Sequence, residues 1–170
     1  MITIYTDGSC YNQWREKRDW LPYIDAGGIG VVIMDSEQNE LLRIHENYEY
    51  TTNNKMELLA IYRAFCVVNS VRMNDDITVY SDSQYALWMV YDFYTNSETG
   101  KMRRGYNFST FSKNYTTIKS IHTEIEKYIS FSWKHPNFVW VRWHNGDPWN
   151  EVADQLSVMR DNLCINELDI

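Results

Sequence analysis

The sequence predicts an α/β fold in which helices cover a five-stranded mixed sheet, formed by one domain over residues 1–170. Segments with strand-like and helix-like patterns follow in the order strand, strand, strand, helix, strand, helices, strand, helix, which favours this architecture. The first three strands are consecutive, which predicts an antiparallel meander. A chain of 170 residues is most simply one domain, long enough to bury a hydrophobic core.

Three strands are predicted in the first part of the chain. The β-branched run of residues 2–6 forms the first and stops at the polar turn of residues 7–9, which leaves Asp7 at its end. Residues 27–34 are predicted as the second strand and residues 41–47 as the third.

A helix and a buried strand follow the meander. Apolar residues at helical spacing predict a helix from about Asn54 to Val68, with Glu57 in its first turn. Good capping residues precede or begin it: Thr52, Asn53 and Asn54. Residues 77–80 are predicted as a buried strand, and Asp82 follows its end as the chain enters the next helix.

The second half begins with an irregular segment, residues 91–112, which predicts a protruding loop. Asn114 is a candidate cap for a helix whose isoleucines recur at helical spacing. Residues 138–141 are predicted as the last strand. The final helix is expected to begin near Asn150, after the turn at Pro148.

Composition narrows the class of protein. Three cysteines, an odd number without metal-ligand spacing, predict neither a disulfide framework nor a zinc site and so favour a reducing compartment. We find neither a secretory leader nor a long apolar run, so we expect a cytoplasmic protein without a membrane segment. A net charge of -7 counts against nucleic-acid binding, but basic clusters at residues 15–18 and 101–104 allow local positive surfaces.

Four acidic residues from separate stretches are the strongest indication of chemistry: Asp7, Glu57, Asp82 and Asp154. Each has an ordinary alternative role, since Asp7 can form a turn, Asp82 a helix cap, Glu57 a favourable contact with the helix dipole and Asp154 a surface charge. If the strands that end at Asp7 and Asp82 are neighbours, however, the carboxylates repel one another unless cations are bound. Two magnesium ions on such a set can activate water and stabilise the leaving oxygen of a phosphodiester. Calcium binding in a loop is disfavoured because the acids do not lie in one segment.

Four motifs in this chain resemble type 1 ribonuclease H, in the order of that family. They are the segments at residues 6–10, 51–58, 78–85 and 144–154. The resemblance implies a ribonuclease H-like fold, with three antiparallel strands followed by two parallel ones. It also implies an endonuclease that cuts the RNA strand of an RNA/DNA hybrid with two Mg²⁺ ions, for which Mn²⁺ can substitute, and that leaves 3′-hydroxyl and 5′-phosphate ends.

The resemblance also implies roles for individual residues. Asp7, Glu57, Asp82 and Asp154 are expected as metal ligands, with Asp7 bridging both ions. His144 matches a family histidine that assists proton transfer or product release. We further hypothesise that the neighbouring Asp147 raises the pKa of His144.

Substrate contacts are expected from polar residues around the acids. Asn53, Asn54 and Gln84 match positions that contact the RNA minor groove, where 2′-hydroxyls identify RNA. Backbone contacts are expected at Ser9 and Cys10. For the DNA strand, the resemblance implies contacts from Thr52, from Phe93 or Tyr94, and from Arg103 and Arg104 in the basic segment 101–106. The long loop of residues 11–25 and an insertion at residues 97–100 depart from the family pattern.

We therefore predict a monomeric, magnesium-dependent ribonuclease H that acts on RNA/DNA hybrids. Two alternatives remain open at this point: a related nuclease with another substrate, such as a DNA junction, and a non-catalytic module that binds hybrids. The residues Asn53, Asn54 and Gln84 argue against the first. The presence of all four acids argues against the second, because carboxylates do not help phosphate binding.

Overall fold

The computed structural model describes residues 1–10, 26–49, 51–96, 114–142, 146–159 and 164–166. For residues 91–96 and 164–166 it describes the backbone only. The strands are β1 (Ile2–Cys10), β2 (Gly27–Met34), β3 (Glu40–Glu49), β4 (Ile77–Ser81), β5 (Asn137–Trp140) and β6 (Cys164–Asn166). The helices are α1 (Asn53–Ser70), α2 (Gln84–Asn96), α3 (Tyr115–Ser132) and α4 (Pro148–Val158). No described helix combines the length and apolar character needed to cross a lipid bilayer.

The strands form one mixed sheet in the order β5-β4-β1-β2-β3-β6. The pairs β1–β2 and β2–β3 are antiparallel, whereas β1–β4, β4–β5 and β3–β6 are parallel. This arrangement confirms the predicted mixed sheet and the antiparallel meander. The three-residue strand β6, at the edge beside β3, was not predicted from the sequence.

Helices cover both faces of the sheet, and β2 shows this most directly. All eight of its residues are buried, as expected for a strand with protein on each side. Ile29, Val31 and Ile33 belong to the larger core, which includes residues of α1, α2 and α3. Val32 and Met34 belong to the smaller core, where α4 packs on the opposite face.

Several element boundaries differ from the sequence predictions. β1 continues through residues 7–9, where a turn was predicted, because these residues pair with residues 28–30 of β2. The final helix begins at Pro148 rather than near Asn150, because the Asp147 carboxylate accepts hydrogen bonds from the amides of Trp149 and Asn150.

Two predictions for the second half of the chain also need correction. The expected irregular segment from residue 91 is helical up to Asn96, where α2 ends. Asn114 lies at the N-cap of α3 but makes no side-chain capping bond, and its Nδ2 instead donates to the Tyr85 hydroxyl at 3.1 Å. This side-chain contact connects the start of α3 with α2.

Candidate active site

Strand pairing brings Asp7 and Asp82 together. β1 and β4 are parallel neighbours whose last paired residues are Thr6 and Ser81. Asp7 directly follows Thr6 on β1, and Asp82 directly follows Ser81 at the end of β4, so the two acids lie side by side. Asp82 is also held through its backbone, because Trp140 Nε1 at the end of β5 donates to its carbonyl oxygen at 3.1 Å.

Glu57 reaches the same place from α1. Gly8 lies beyond the part of β1 that pairs with β4, and its amide donates to Glu57 Oε2 at 3.1 Å. The helix backbone comes so close that a Cβ atom on Gly8 would lie 2.2 Å from the carbonyl carbon of Met56 and 2.3 Å from the amide nitrogen of Glu57. The missing side chain at Gly8 therefore sets the distance between α1 and β1.

Asp154 is brought to the cluster by a similar close approach on the opposite face of the sheet. Gly30 pairs directly with Asp7, and a Cβ atom on Gly30 would lie 2.1 Å from the Ala153 carbonyl oxygen. Residues directly opposite each other in an antiparallel pair project to the same face. The backbone of α4 thus packs beside Asp7, with Asp154 next to the point of contact.

The four acids line one cleft of about 360 Å³. Asp7, Glu57 and Asp82 each offer a carboxylate oxygen, and these three oxygens lie within 4.8 Å of one another. Asp154 is not part of this closest group, but it lines the same cleft, and its negative charge contributes to the raised pKa of Asp7. The remaining lining residues are Gly8, Ser9, Asn53 and Ser83.

Burial and mutual repulsion make these acids hard to ionise. Asp7 and Glu57 each keep only 5% of their surface exposed. Burial, together with the negative charge of Asp82, raises the pKa of Asp7 to about 8. Burial and the charges of Asp7 and Asp82 also raise the pKa of Glu57 well above its ordinary value, although the Gly8 amide opposes this shift.

A hard divalent cation fits this donor set. The ligands available are carboxylate oxygens at close spacing, which Mg²⁺ and Mn²⁺ favour. Among the described residues, no lysine or arginine forms an ion pair with Asp7 or Glu57. A bound cation would supply the positive charge that the buried acids need in order to remain ionised.

Comparison with known proteins identifies the family. The sequence model of the RNase H family matches residues 1–160, nearly the whole chain. The chain belongs to the RNase H family. It is 30% identical over 159 residues to ribonuclease HI of Pasteurella multocida, covering 92% of this chain and 86% of that protein. It is 28% identical over 169 residues to ribonuclease H of Treponema denticola, covering 92% and 94% of the two chains.

Solved structures share the fold. LC11-RNase H1, isolated from compost by a metagenomic approach, superposes with a TM-score of 0.65 at 22% identity, covering 92% of this chain and 91% of that one. The same protein in complex with an RNA/DNA hybrid gives a TM-score of 0.59, also at 22% identity, covering 92% and 94%. The predicted RNase H-like fold and the prediction of a ribonuclease H enzyme are confirmed.

Local geometry disfavours the ordinary roles considered for the acids of this RNase H. Asp7 lies within a strand rather than in a turn. The cap of α2 is Ser83 rather than Asp82, because the amide of Ala86 at the start of this helix donates to Ser83 Oγ at 3.1 Å. Glu57 is the fifth residue of α1, so the prediction that it lies in the first turn was wrong, since the helix begins at Asn53. Asp154 is half-buried rather than a solvated surface charge.

The structure places two of the described substrate-binding candidates in the cleft with the acids. Ser9 and Asn53 line the cleft, and the Cys10 amide donates to Asn53 Oδ1 at 3.3 Å. Thr52 caps α1, since its hydroxyl accepts a hydrogen bond from the Lys55 amide at 3.3 Å. Asn54 is exposed in the first turn of α1, and Gln84 is exposed at the start of α2.

Other predicted site residues lie outside the part of the chain that is described. These are His144, Arg103 and Arg104, together with the segments 11–25, 97–100 and 101–106. Phe93 and Tyr94 belong to α2, but their side chains are not described. The hypothesis that Asp147 raises the pKa of His144 therefore stays a prediction, while the described role of Asp147 is to cap α4.

Sequence reasoning missed one residue that contacts an acid of the site from outside the cleft. Ser157 is completely buried, and its hydroxyl donates to Asp7 Oδ2 at 2.7 Å. A signal was present in the sequence, because Ser157 follows Asp154 by three residues, which places both on one side of the final helix.

The raised pKa of Asp7 predicts how the stability of the metal-free protein depends on pH. The Asp7 carboxyl titrates near 3.8 as the ordinary group and near 8 in the folded protein, so between these values folding takes up protons. The free energy of unfolding is therefore expected to fall by about 1–3 kcal/mol between about pH 6 and pH 8 in EDTA, and by less in excess Mg²⁺.

Urea denaturation followed by tryptophan fluorescence measures this change. A free energy of unfolding that stays constant or increases over this pH range in EDTA would contradict the prediction. The Asp7→Asn variant is the control, because it removes this group and should make the pH dependence less steep, while the raised pKa of Glu57 leaves a smaller dependence.

Proposed function

We propose that this member of the RNase H family is a monomeric endoribonuclease that hydrolyses the RNA strand of RNA/DNA hybrids and leaves 3′-hydroxyl and 5′-phosphate ends. The observation that carries the proposal is the group of three carboxylate oxygens from Asp7, Glu57 and Asp82 within 4.8 Å, in a cleft that Asp154 also lines. The solved complex of LC11-RNase H1 with an RNA/DNA hybrid supports the choice of substrate.

In this proposal the four acids hold two Mg²⁺ ions, for which Mn²⁺ can substitute. When bound, the two ions supply an activated water and charge stabilisation of the leaving oxygen. Asp7 would be the central ligand of this set, because its carboxylate oxygen lies within 4.8 Å of those of Glu57 and Asp82, and the charges of Asp82 and Asp154 contribute to its raised pKa.

The protein groups around the acids would bind and orient the hybrid. Asn53, at the start of α1, lines the cleft. Asn54 and Gln84 are exposed, and each is the next residue in sequence after one that lines the cleft, Asn53 and Ser83. Amide and backbone groups of this kind suit a wide minor groove that displays 2′-hydroxyls. We propose RNA contacts for Asn53, Asn54, Gln84 and the backbone of Ser9 and Cys10, and DNA contacts for Thr52, Arg103 and Arg104.

His144 is proposed to assist proton transfer near the cleft. It follows β5 and precedes α4, and Asp154 on α4 lines the cleft. An imidazole that titrates near neutrality can both accept and donate a proton under ordinary conditions.

A substrate panel tests the proposal. Labelled RNA/DNA hybrid, double-stranded RNA, single-stranded RNA, duplex DNA and a DNA junction are incubated with the protein and Mg²⁺ or Mn²⁺. We expect cleavage of the hybrid alone, in the RNA strand, with products whose 5′ ends carry phosphate. Preferred cleavage of the junction would favour the alternative nuclease.

The Asp82→Asn variant controls for contaminating nucleases. It is expected to reduce the cleavage rate by at least about a hundredfold, since it removes the charge of one proposed ligand while keeping the shape of the side chain. Tight binding of the hybrid by the wild type without cleavage would overturn the proposed activity and support the non-catalytic module.

A further inference from the structure

The hydroxyl of Ser157 contacts the central acid of the cleft from behind. Its Oγ donates to Asp7 Oδ2 at 2.7 Å and lies 2.8 Å from the Asp154 backbone oxygen, a second acceptor for the same proton. Ser157 is completely buried and does not line the cleft itself. Its side chain therefore acts on the site through Asp7.

A second hydrogen bond joins the same two elements. The hydroxyl of Ser9 donates to the Ser157 backbone oxygen at 2.7 Å. Ser9 lies two residues after Asp7 on β1, and the two side chains project to the same face of the strand. Together with the close contact at Gly30, these bonds hold α4 against β1 beside Asp7 and Asp154.

A hydrogen bond to one carboxylate oxygen restricts rotation about the Cβ–Cγ bond of Asp7 and so determines where both oxygens point. Hydrogen bonds to an ionised carboxylate are short and stronger than those between neutral groups. Partners of this kind orient metal ligands, and their removal typically weakens metal binding by about 10–100-fold.

We propose that Ser157 is a positioning residue for the divalent-cation site, because its hydroxyl holds the Asp7 carboxylate in the orientation that binds the cation and keeps it in register with Asp154. This inference rests on the proposed function, since it assumes that the four acids bind metal. It concerns a residue that touches neither the cleft nor the substrate.

The test measures metal affinity directly in the full chain. Mg²⁺ is titrated into metal-free wild type and the Ser157→Ala variant by isothermal titration calorimetry, without nucleic acid. We expect the dissociation constant for Mg²⁺ to increase by about tenfold in the variant. In steady-state assays at limiting Mg²⁺, kcat should fall while KM for the hybrid stays unchanged, and saturating Mg²⁺ should restore most of kcat.

Ser130→Ala is a matched control. Ser130 Oγ donates to the Lys127 backbone oxygen at 2.6 Å, the same three-residue spacing as Ser157 and Asp154, but on the exposed face of α3. It should leave Mg²⁺ affinity and kcat unchanged. If Ser157→Ala does not fold, Ser157→Cys replaces it, because a thiol has a similar shape but is a weak donor, and it is expected to weaken Mg²⁺ binding in the same way.

The outcomes separate the two proposals. A wild type that binds Mg²⁺, beside a folded Ser157 variant of equal affinity, overturns the role of Ser157 alone. A wild type that binds no Mg²⁺ overturns both the proposed metal-dependent function and the role of Ser157. Weaker Mg²⁺ binding with an equally increased KM for the hybrid would indicate general disorder of the site and would also overturn the positioning role.

Discussion

Replacing Asp7 with asparagine is expected to abolish hybrid cleavage and at the same time to stabilise the metal-free protein. The cleavage rate should fall by about a thousandfold or more, because the substitution removes the charge at the centre of the acid cluster. Asparagine keeps the size of the side chain, and its oxygen can still accept the hydrogen bond from Ser157. The loss would therefore come from charge rather than from packing.

The gain in stability has the same electrostatic origin. Asp7 keeps 5% of its surface exposed, and burial with the nearby charge of Asp82 raises its pKa to about 8. Near pH 8, ionisation of the Asp7 carboxyl costs free energy in the folded protein but not in the unfolded chain. Removing the carboxyl should raise the free energy of unfolding in EDTA by about 1–3 kcal/mol.

Urea denaturation and single-turnover cleavage measure the two effects, with Asp35→Asn as the matched control. Asp35 lies in an exposed turn, where its carboxylate accepts hydrogen bonds from the Asn39 side chain and from the amides of Asn39 and Glu37, and these contacts lower its pKa. The control should retain activity and lose stability, the opposite pattern. An Asp7→Asn variant that cleaves hybrids within tenfold of the wild-type rate, a change of about 1.4 kcal/mol in the barrier, would contradict the proposed role of Asp7.

A single methyl group at Gly8 is expected to disrupt the fold around the site. In Gly8→Ala the new Cβ would lie 2.2 Å and 2.3 Å from backbone atoms of Met56 and Glu57. Helix and strand backbones cannot give way as a flexible side chain can, so α1 must move away from β1. We expect a loss of about 3 kcal/mol or more in the free energy of unfolding.

Gly146→Ala separates this steric effect from the loss of glycine as such. Gly146 has a φ of 86° and nothing within 4 Å of a Cβ atom built on it, so only its left-handed backbone opposes the substitution. Its cost should be about 1–2 kcal/mol. Thermal and urea unfolding of both variants give the comparison, and a Gly8→Ala protein no less stable than Gly146→Ala would show that α1 can retreat from β1 at little cost.

Local patterns predicted many of the secondary-structure elements. The strand β2 was predicted with the observed bounds, Gly27–Met34. The helix predicted from about Asn54 to Val68 lies within the observed range of α1, Asn53–Ser70. Both follow from hydrophobic periodicity and from capping or turn residues close in the chain. The polar residues 7–9 were wrongly predicted as a turn. They form part of a strand because β2 pairs with them, and the local sequence does not show this pairing.

The sequence by itself determined the chemistry that this protein can perform and the elements that carry it, because residue types, periodicity and capping are local properties of the chain. Only the tertiary structure decided that β1 and β4 are neighbours, that helices approach the sheet at Gly8 and Gly30, and that Ser157 contacts Asp7. These contacts join residues up to 150 positions apart. Their geometry depends on how whole elements pack, which no local pattern encodes.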